Sequence, residues 1–204
     1  MAIKITAKET KFLIKILSKS INDIDTLYKF EGYIVGMICS EDMISASLLM
    51  KDMFGDPDDE NTMSWDSVDQ LNQFMEIYSK INNKNASKLN SHIYRPIFAK
   101  TKDQVKEYAY GFRASYSSSL IHEDGDYDAN LAYMIICSIY QANEEMCKDD
   151  SDYAKLIDVI DKKTLLMLSK SVQDLNQLRL ESYVAPHDVK NNVMDFDDLS
   201  NIRH

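Results

Sequence analysis

The chain has 204 residues, enough for one large domain or two small ones. Hydrophobic residues make up 45 %, but only 5 Gly and 3 Pro are present. Because multi-stranded β folds need many tight turns, this composition favours helices with short connections. The formal net charge of −10 disfavours binding to nucleic acids and to anionic membrane surfaces, since both require clustered Lys and Arg.

Apolar residues recur at intervals of three and four along the chain, a spacing typical of helices that bury one face. The first predicted helix covers about residues 8–19. Asn22 or Asp23 is expected to cap the second helix, and Ser40 the third. Gly55 is expected to end the third helix, because glycine accepts the left-handed conformation at a helix end.

The middle of the chain contains both helix signals and interruptions. Ser64 is expected to cap a fourth helix, and the polar run at 82–87 predicts a break after it. Pro96 excludes a helix that runs through its position, because proline has no backbone N–H to donate. Thr101 and Gln104 have the spacing of a capping box, which predicts the start of another helix.

The last part of the chain predicts two long helical segments. One covers about residues 127–146, and the other covers residues 153–181 as a single helix or as two with a joint near Asp161. The predicted fold class is therefore all-α, a multihelix bundle of about seven or eight helices with a flexible C-terminal tail.

The domain organisation follows from the change in composition near the end of the chain. Residues 1–182 are expected to form one helical domain, with a candidate subdivision near 119–126. Residues 183–204 are polar and acidic, and they are expected to form a mobile tail.

An acidic loop offers the most visible candidate metal site. Asp124, Asp126 and Asp128 occupy the first, third and fifth positions of an EF-hand-like loop. The sixth position is Ala129 instead of glycine, and the twelfth is Ile135 instead of a bidentate acid. The favoured interpretation is that Asp126 caps the next helix, and no metal or cofactor is predicted.

The remaining candidates for chemistry are scattered. His92 and His122 show none of the spacings of a metal-binding helix pair. Cys39, Cys137 and Cys147 are odd in number and form no CxxC pair, which favours a reducing compartment. The N-terminus lacks a signal-peptide pattern, and no stretch reaches the roughly 20 apolar residues of a membrane span. We therefore expect a cytoplasmic protein.

Two glycines lie within the second predicted helix. Gly32 and Gly36 are four residues apart, so they share one helix face. A neighbouring backbone can approach such a face closely, whereas a phosphate site would require a Gly-rich loop before the helix. We interpret this pair as a packing feature of the core.

Two segments, FEGYIVGM and EYAYGFRASY, are similar in order and spacing to a known pattern. The matching residues are Gly32, Tyr33 and Gly36 in the first segment and Tyr108, Gly111 and Phe112 in the second. Over about residues 6–118 the chain resembles the YecA/YgfB-like family of uncharacterised bacterial helical proteins. The resemblance implies an all-α fold, no established enzymatic activity and no catalytic residues. Longer members end in a Cys-rich metal-binding module, which this chain lacks.

No coherent catalytic constellation appears, so the sequence favours a non-enzymatic protein-interaction or regulatory protein with an unidentified protein partner. Val193, Met194, Phe196 and Leu199 form a candidate partner-binding segment of the tail. Two alternatives stay open. One is an enzyme or metal-binding protein whose site is assembled from distant residues such as His92, His122 and Asp124. The other is a self-associating structural protein with an exposed apolar stripe.

Overall fold

The structure is a computed structural model that describes residues 4–41, 45–56, 65–92, 94–118, 126–141 and 151–184. Within this part of the chain it is all-helical, as predicted, with seven helices and no strands. The helices are α1 (Ala7–Leu17), α2 (Leu27–Cys39), α3 (Ala46–Phe54), α4 (Val68–Asn90), α5 (Lys102–Ser115), α6 (Tyr127–Gln141) and α7 (Ser151–Val184).

Helices α1 to α5 all begin after a Ser or Thr whose side-chain oxygen accepts a hydrogen bond from the first turn. These N-caps are Thr6, Thr26, Ser45, Ser67 and Thr101. Each cap satisfies an N–H group that has no partner inside the helix. The capping box predicted at Thr101 is confirmed.

The predicted caps of the second and third helices were wrong. Neither Asn22 nor Asp23 caps α2, because the helix begins after Thr26. The Asn22 amide Nδ2 instead donates to the Asp52 carbonyl at 2.8 Å and fixes the loop before the helix. Ser40 follows the end of α2, and its hydroxyl donates to the Gly36 carbonyl at 2.8 Å. Both side chains are thus bonded to loop or helix-end backbone.

The predicted break at 82–87 was also wrong. Helix α4 continues to Asn90, and it begins after Ser67 instead of after Ser64. Ile81, Asn85 and Leu89 are buried at intervals of four residues, so tertiary packing extends the helix through its polar run.

Other predicted boundaries are confirmed. Gly55 ends α3 with a φ of 91°, in the region that glycine tolerates best. No helix runs through Pro96. Helix α7 has a joint at Lys163, where φ is −136° and ψ is 29°, close to the predicted joint at Asp161.

Helix α2 lies at the centre of the bundle and is buried on all sides, as expected for a helix that is apolar around most of its surface. One side packs into an N-terminal core with α1, α3 and α4, which includes Leu13, Leu49 and Phe74. The other side packs into a C-terminal core with α5, α6 and α7, which includes Ile136 and Leu168. The two cores therefore share one helix.

The predicted subdivision near 119–126 and the tail at 183–204 fall almost entirely outside the described residues. Among the helices that the structure describes, none is both long and apolar enough to cross a membrane.

Candidate functional site

The six residues that carry the family resemblance meet where α2 crosses α5. Both helices run in the same direction, because Thr26 hydrogen-bonds Glu107 at one end of the crossing and Ser40 bonds the Ser117 N–H at the other. Halfway along, the Ser115 hydroxyl donates to the Tyr33 carbonyl at 2.7 Å. This pair of helices therefore has polar links along its whole length.

Glycines let the two backbones touch at this crossing. A Cβ on Gly32 would lie 2.9 Å from the Phe112 nitrogen, and a Cβ on Gly36 would lie 2.6 Å from the Phe112 oxygen. From the other side, a Cβ on Gly111 would lie 2.6 Å from the Lys29 carbonyl carbon. Real side chains essentially never come this close, so the three positions leave space only for glycine.

The other three motif residues are buried in the same region. Tyr33 and Phe112 pack into the cores, and the Tyr33 hydroxyl donates to the Asp52 carboxylate at 2.8 Å. Burial raises the pKa of Tyr33, and Asp52 raises it further. The Tyr108 and Tyr94 hydroxyls are 2.6 Å apart in the interior. These three side chains are buried in the two cores and act in packing.

Glu31 is a buried acid that sequence reasoning did not single out. Its carboxylate accepts hydrogen bonds from the backbone N–H groups of Ile97 and Phe98, the second at 2.9 Å. Burial raises the pKa of Glu31, and those two bonds, with Lys88 and Lys100 nearby, offset part of the rise. The carboxylate fixes the connection between α4 and α5, and its completely buried position excludes contact with solvent.

The candidate metal ligands do not converge in the described residues. His92 is exposed at the end of α4, with a φ of 55°. Asp126 accepts a hydrogen bond from the Ala129 N–H at 2.9 Å, so its predicted role as a helix cap is confirmed. In the part of the chain that the structure describes, no group of three or more His, Cys, Asp or Glu is placed to hold a metal ion. His122 and Asp124 lie outside that part.

The cysteines differ in how deeply they are buried. Cys39 is buried in the C-terminal core, and burial raises the pKa of its thiol to about 12. Cys137 is half-buried on α6, and burial raises the pKa of its thiol as well. A nucleophilic cysteine requires a lowered pKa, so neither thiol is activated. Cys147 lies outside the described residues.

An open groove lies between α6 and α7 and has a volume of about 460 Å³. Its apolar lining comes from both helices and consists of Leu131, Ala132, Ile135, Met167 and Leu178. We call it the α6/α7 groove. A concave surface with an apolar floor is the usual form of a binding site.

Charged groups line the same groove. Asp128 lies on α6, and Lys170, Asp174 and Glu181 lie on α7. Burial raises the pKa of the Asp174 carboxyl, Lys170 lowers it, and the negative charge of Asp128 raises it further. The carboxylates of Asp128 and Asp174 therefore repel each other across the groove.

Helix α6 also presents an apolar stripe to solvent beside this groove. Tyr127 is 77 % exposed, Leu131 is 41 % exposed and Met134 is 55 % exposed. Their spacing of four and three residues places them on one face, and we call these three residues the α6 stripe. Leu131 belongs to both the stripe and the groove. The two features thus form one continuous surface.

Sequence reasoning missed this surface, although a signal for it was present. Helix α6 is apolar around most of its circumference, in the run YMIICSIY. Ala129, Ala132, Ile136 and Ile139 face the C-terminal core, whereas Tyr127, Leu131 and Met134 are left exposed. The candidate tail residues Val193, Met194, Phe196 and Leu199 lie outside the described residues.

No protein-family model, no curated protein and no solved structure matches this chain. The resemblance to the YecA/YgfB-like family stays a prediction that depends on the six motif residues. In this structure those residues are the ones that form the close α2–α5 crossing.

Proposed function

We propose that this protein is a non-enzymatic interaction or regulatory protein that binds a protein partner through the face formed by α6 and α7. The observation that carries the proposal is the α6 stripe, three apolar side chains that are exposed at helical spacing. Clustered apolar exposure of this kind marks interaction surfaces more often than scattered single residues do. The adjoining groove gives the surface the concave shape that a projecting partner element requires.

The placement of the reactive groups supports a binding function more than a catalytic one. Burial raises the pKa of Glu31, Tyr94 and Tyr108, and all three are inside the bundle. Perturbed groups in an active site would have to face a cleft that substrate can enter. Here they hydrogen-bond to each other or to backbone.

We further propose that the protein acts in a reducing compartment such as the cytoplasm. The thiols of Cys39 and Cys137 are free, which supports this proposal. The excess of acidic residues supports a protein partner over nucleic acid or an anionic membrane.

Affinity capture from cells that contain the protein tests the proposed function. The full-length bait is expected to retain a partner in stoichiometric amount, and a Leu131→Asp/Met134→Asp bait is expected to lose it. The matched control is Ile14→Asp, because Ile14 is 49 % exposed on α1, away from the α6–α7 face. A bait that ends at Ser182 tests whether the C-terminal tail contributes to partner binding.

Two outcomes contradict the proposal. If the full-length bait retains no partner at moderate salt, the protein is not a stable interaction protein. If light scattering shows a mass that doubles with concentration and returns to one chain in the double Asp variant, the surface serves self-association.

A further inference from the structure

The α6/α7 groove has the length of a short helix. On α7 its lining extends from Met167 to Glu181, which corresponds to about 21 Å at 1.5 Å per residue. A helix of about four turns covers this distance. The apolar floor is formed by Leu131, Ile135 and Leu178 among others, which is the type of surface that receives the apolar face of an amphipathic helix.

The charged residues that line the groove determine which charge a bound partner should carry. Asp128, Asp174 and Glu181 are acidic, and Lys170 is the only basic residue among the described residues of the lining. Asp174 is destabilised as an anion by its partial burial and by Asp128. A Lys or Arg from a partner would be attracted to these carboxylates and would relieve their repulsion.

The chain's own C-terminal segment has the wrong charge for this groove. It is long enough to return, because residues 185–204 follow α7, which ends one turn beyond Glu181. However, it contains four Asp residues against one Lys and one Arg. Three of those acids are interleaved with Met194, Phe196 and Leu199, so an apolar contact would bring acid against acid.

A second copy of the chain is disfavoured for the same reason. A two-fold symmetric contact places the same surface patch on both sides of the interface. Asp128, Asp174 and Glu181 of both copies would then lie in the same interface. Like charges that are juxtaposed in an interface oppose association.

We propose that the α6/α7 groove binds a basic amphipathic helix of a partner protein, with the apolar face of that helix on Leu131, Ile135 and Leu178 and its Lys or Arg residues beside Asp174 and Glu181. The inference rests on the proposed function and specifies which kind of partner it requires.

A synthetic peptide of about 18 residues tests this proposal, with Leu on one helical face and Lys on the other. Its binding to the full-length protein is measured by fluorescence anisotropy at about 0.1 M salt, where exposed charges more than about 10 Å apart are screened. We expect a peptide with Glu in place of Lys to bind at least tenfold more weakly. Equal binding of the two peptides would overturn the proposed charge selection.

Variants locate the binding surface. Leu131→Asp and Asp174→Lys are each expected to weaken binding of the Lys peptide at least tenfold, whereas Ile14→Asp leaves it unchanged. Because Leu131 and Asp174 are both partly exposed, the variants should keep the helical circular dichroism of the parent. If the peptide binds all three variants as it binds the parent, the groove is not the site.

The C-terminal segment is tested with a chain that ends at Ser182. If this chain binds the Lys peptide as the full chain does, the tail does not occupy the groove, as we expect. If truncation strengthens binding tenfold or more, the tail is the occupant and the proposal is wrong.

The two proposals can fail separately. If the cellular capture retains a partner equally with the Leu131→Asp/Met134→Asp bait, the protein is still an interaction protein, but neither the α6–α7 face nor its groove is the binding site. If the peptide binds at the groove but no cellular partner is captured, the groove is a binding site and the proposed interaction function is not supported.

Discussion

Glu31 shows how a single buried charge is accommodated in this bundle. It lies in the first half of α2, completely buried, and both of its carboxylate oxygens accept backbone N–H groups. The two donors belong to Ile97 and Phe98, in the connection that follows Pro96. A segment with no helical hydrogen bonds of its own is thereby held against α2 by one side chain.

We expect Glu31→Ala to lower the free energy of unfolding by roughly 2–4 kcal/mol, because it leaves two backbone N–H groups without their charged acceptor. Glu31→Gln keeps one acceptor oxygen and should cost less. Urea unfolding followed by circular dichroism measures both values. If the Ala and Gln variants were equally stable, the paired acceptor role of the carboxylate would be disproved.

Glu9 joins α1 to α4 at the surface, and this contact makes the stability of the protein depend on pH. Its carboxylate accepts from Lys80 at 2.7 Å and from the Thr6 N–H at 2.7 Å. The hydrogen bond from Lys80, followed by the one from Thr6, lowers the pKa of Glu9 from 4.5 to about 2. Since the folded-state pKa is below the unfolded one, the stabilisation is present above pH 4.5 and is lost as pH falls towards 2.

Glu9→Gln should therefore lower the urea midpoint at pH 6, and the difference from the parent should shrink steadily as the pH is lowered from 4.5 to 2. Glu76→Gln is the matched control, because Glu76 bonds the same Lys80 within α4 and joins no two helices. A midpoint difference for Glu9→Gln that stays constant with pH would show that the contact makes no electrostatic contribution.

At the scale of the element, the α2–α5 pair is defined by backbone contact. Gly32 and Gly36 on one helix face Phe112, and Gly111 on the other faces Lys29. The atoms that oppose these glycines are mostly backbone, which cannot rotate away as a flexible side chain can. An added methyl group must therefore separate the helices.

We expect Gly32→Ala and Gly111→Ala each to lower the free energy of unfolding by roughly 1–3 kcal/mol, as overpacking does in a well-packed core. This loss overrides the gain of about 1 kcal/mol that alanine brings inside a helix. Asn83→Ala, at an exposed position of α4, is the control and should be neutral or stabilising. Thermal melting and urea titration measure the stability of all three variants. Unchanged stability of both glycine variants would contradict the close crossing.

The helix class, the Gly32–Gly36 contact face and the capping box at Thr101 could be predicted because each depends on residues close in sequence. The cap expected at Asn22 was wrong because its side chain bonds the distant Asp52 carbonyl, and the cap expected at Ser40 was wrong because its hydroxyl bonds the Gly36 carbonyl at the end of α2. The acceptor role of Glu31 depends on a connection that lies 66 residues along the chain, and the α6/α7 groove depends on how two distant helices pack. No local pattern carries that information.

In the whole molecule, α2 links the two halves, because it contributes side chains to both cores. Phe30 and Ile34 face the N-terminal core, and Val35 and Cys39 face the C-terminal core. Neither core can lose its structure while α2 stays fully buried. This arrangement makes cooperative unfolding of the two halves the expected behaviour.

The single tryptophan tests this coupling, because Trp65 packs only at the N-terminal core, with its ring centroid 5.3 Å from Phe54. Ile136→Ala removes a buried side chain from the C-terminal core and should cost about 2–5 kcal/mol. We expect the urea midpoints of Trp65 fluorescence and of circular dichroism to fall together. We expect the same of the control Ile77→Ala, within the N-terminal core. A Trp65 midpoint unmoved by Ile136→Ala would mean that the two cores unfold independently despite their shared helix.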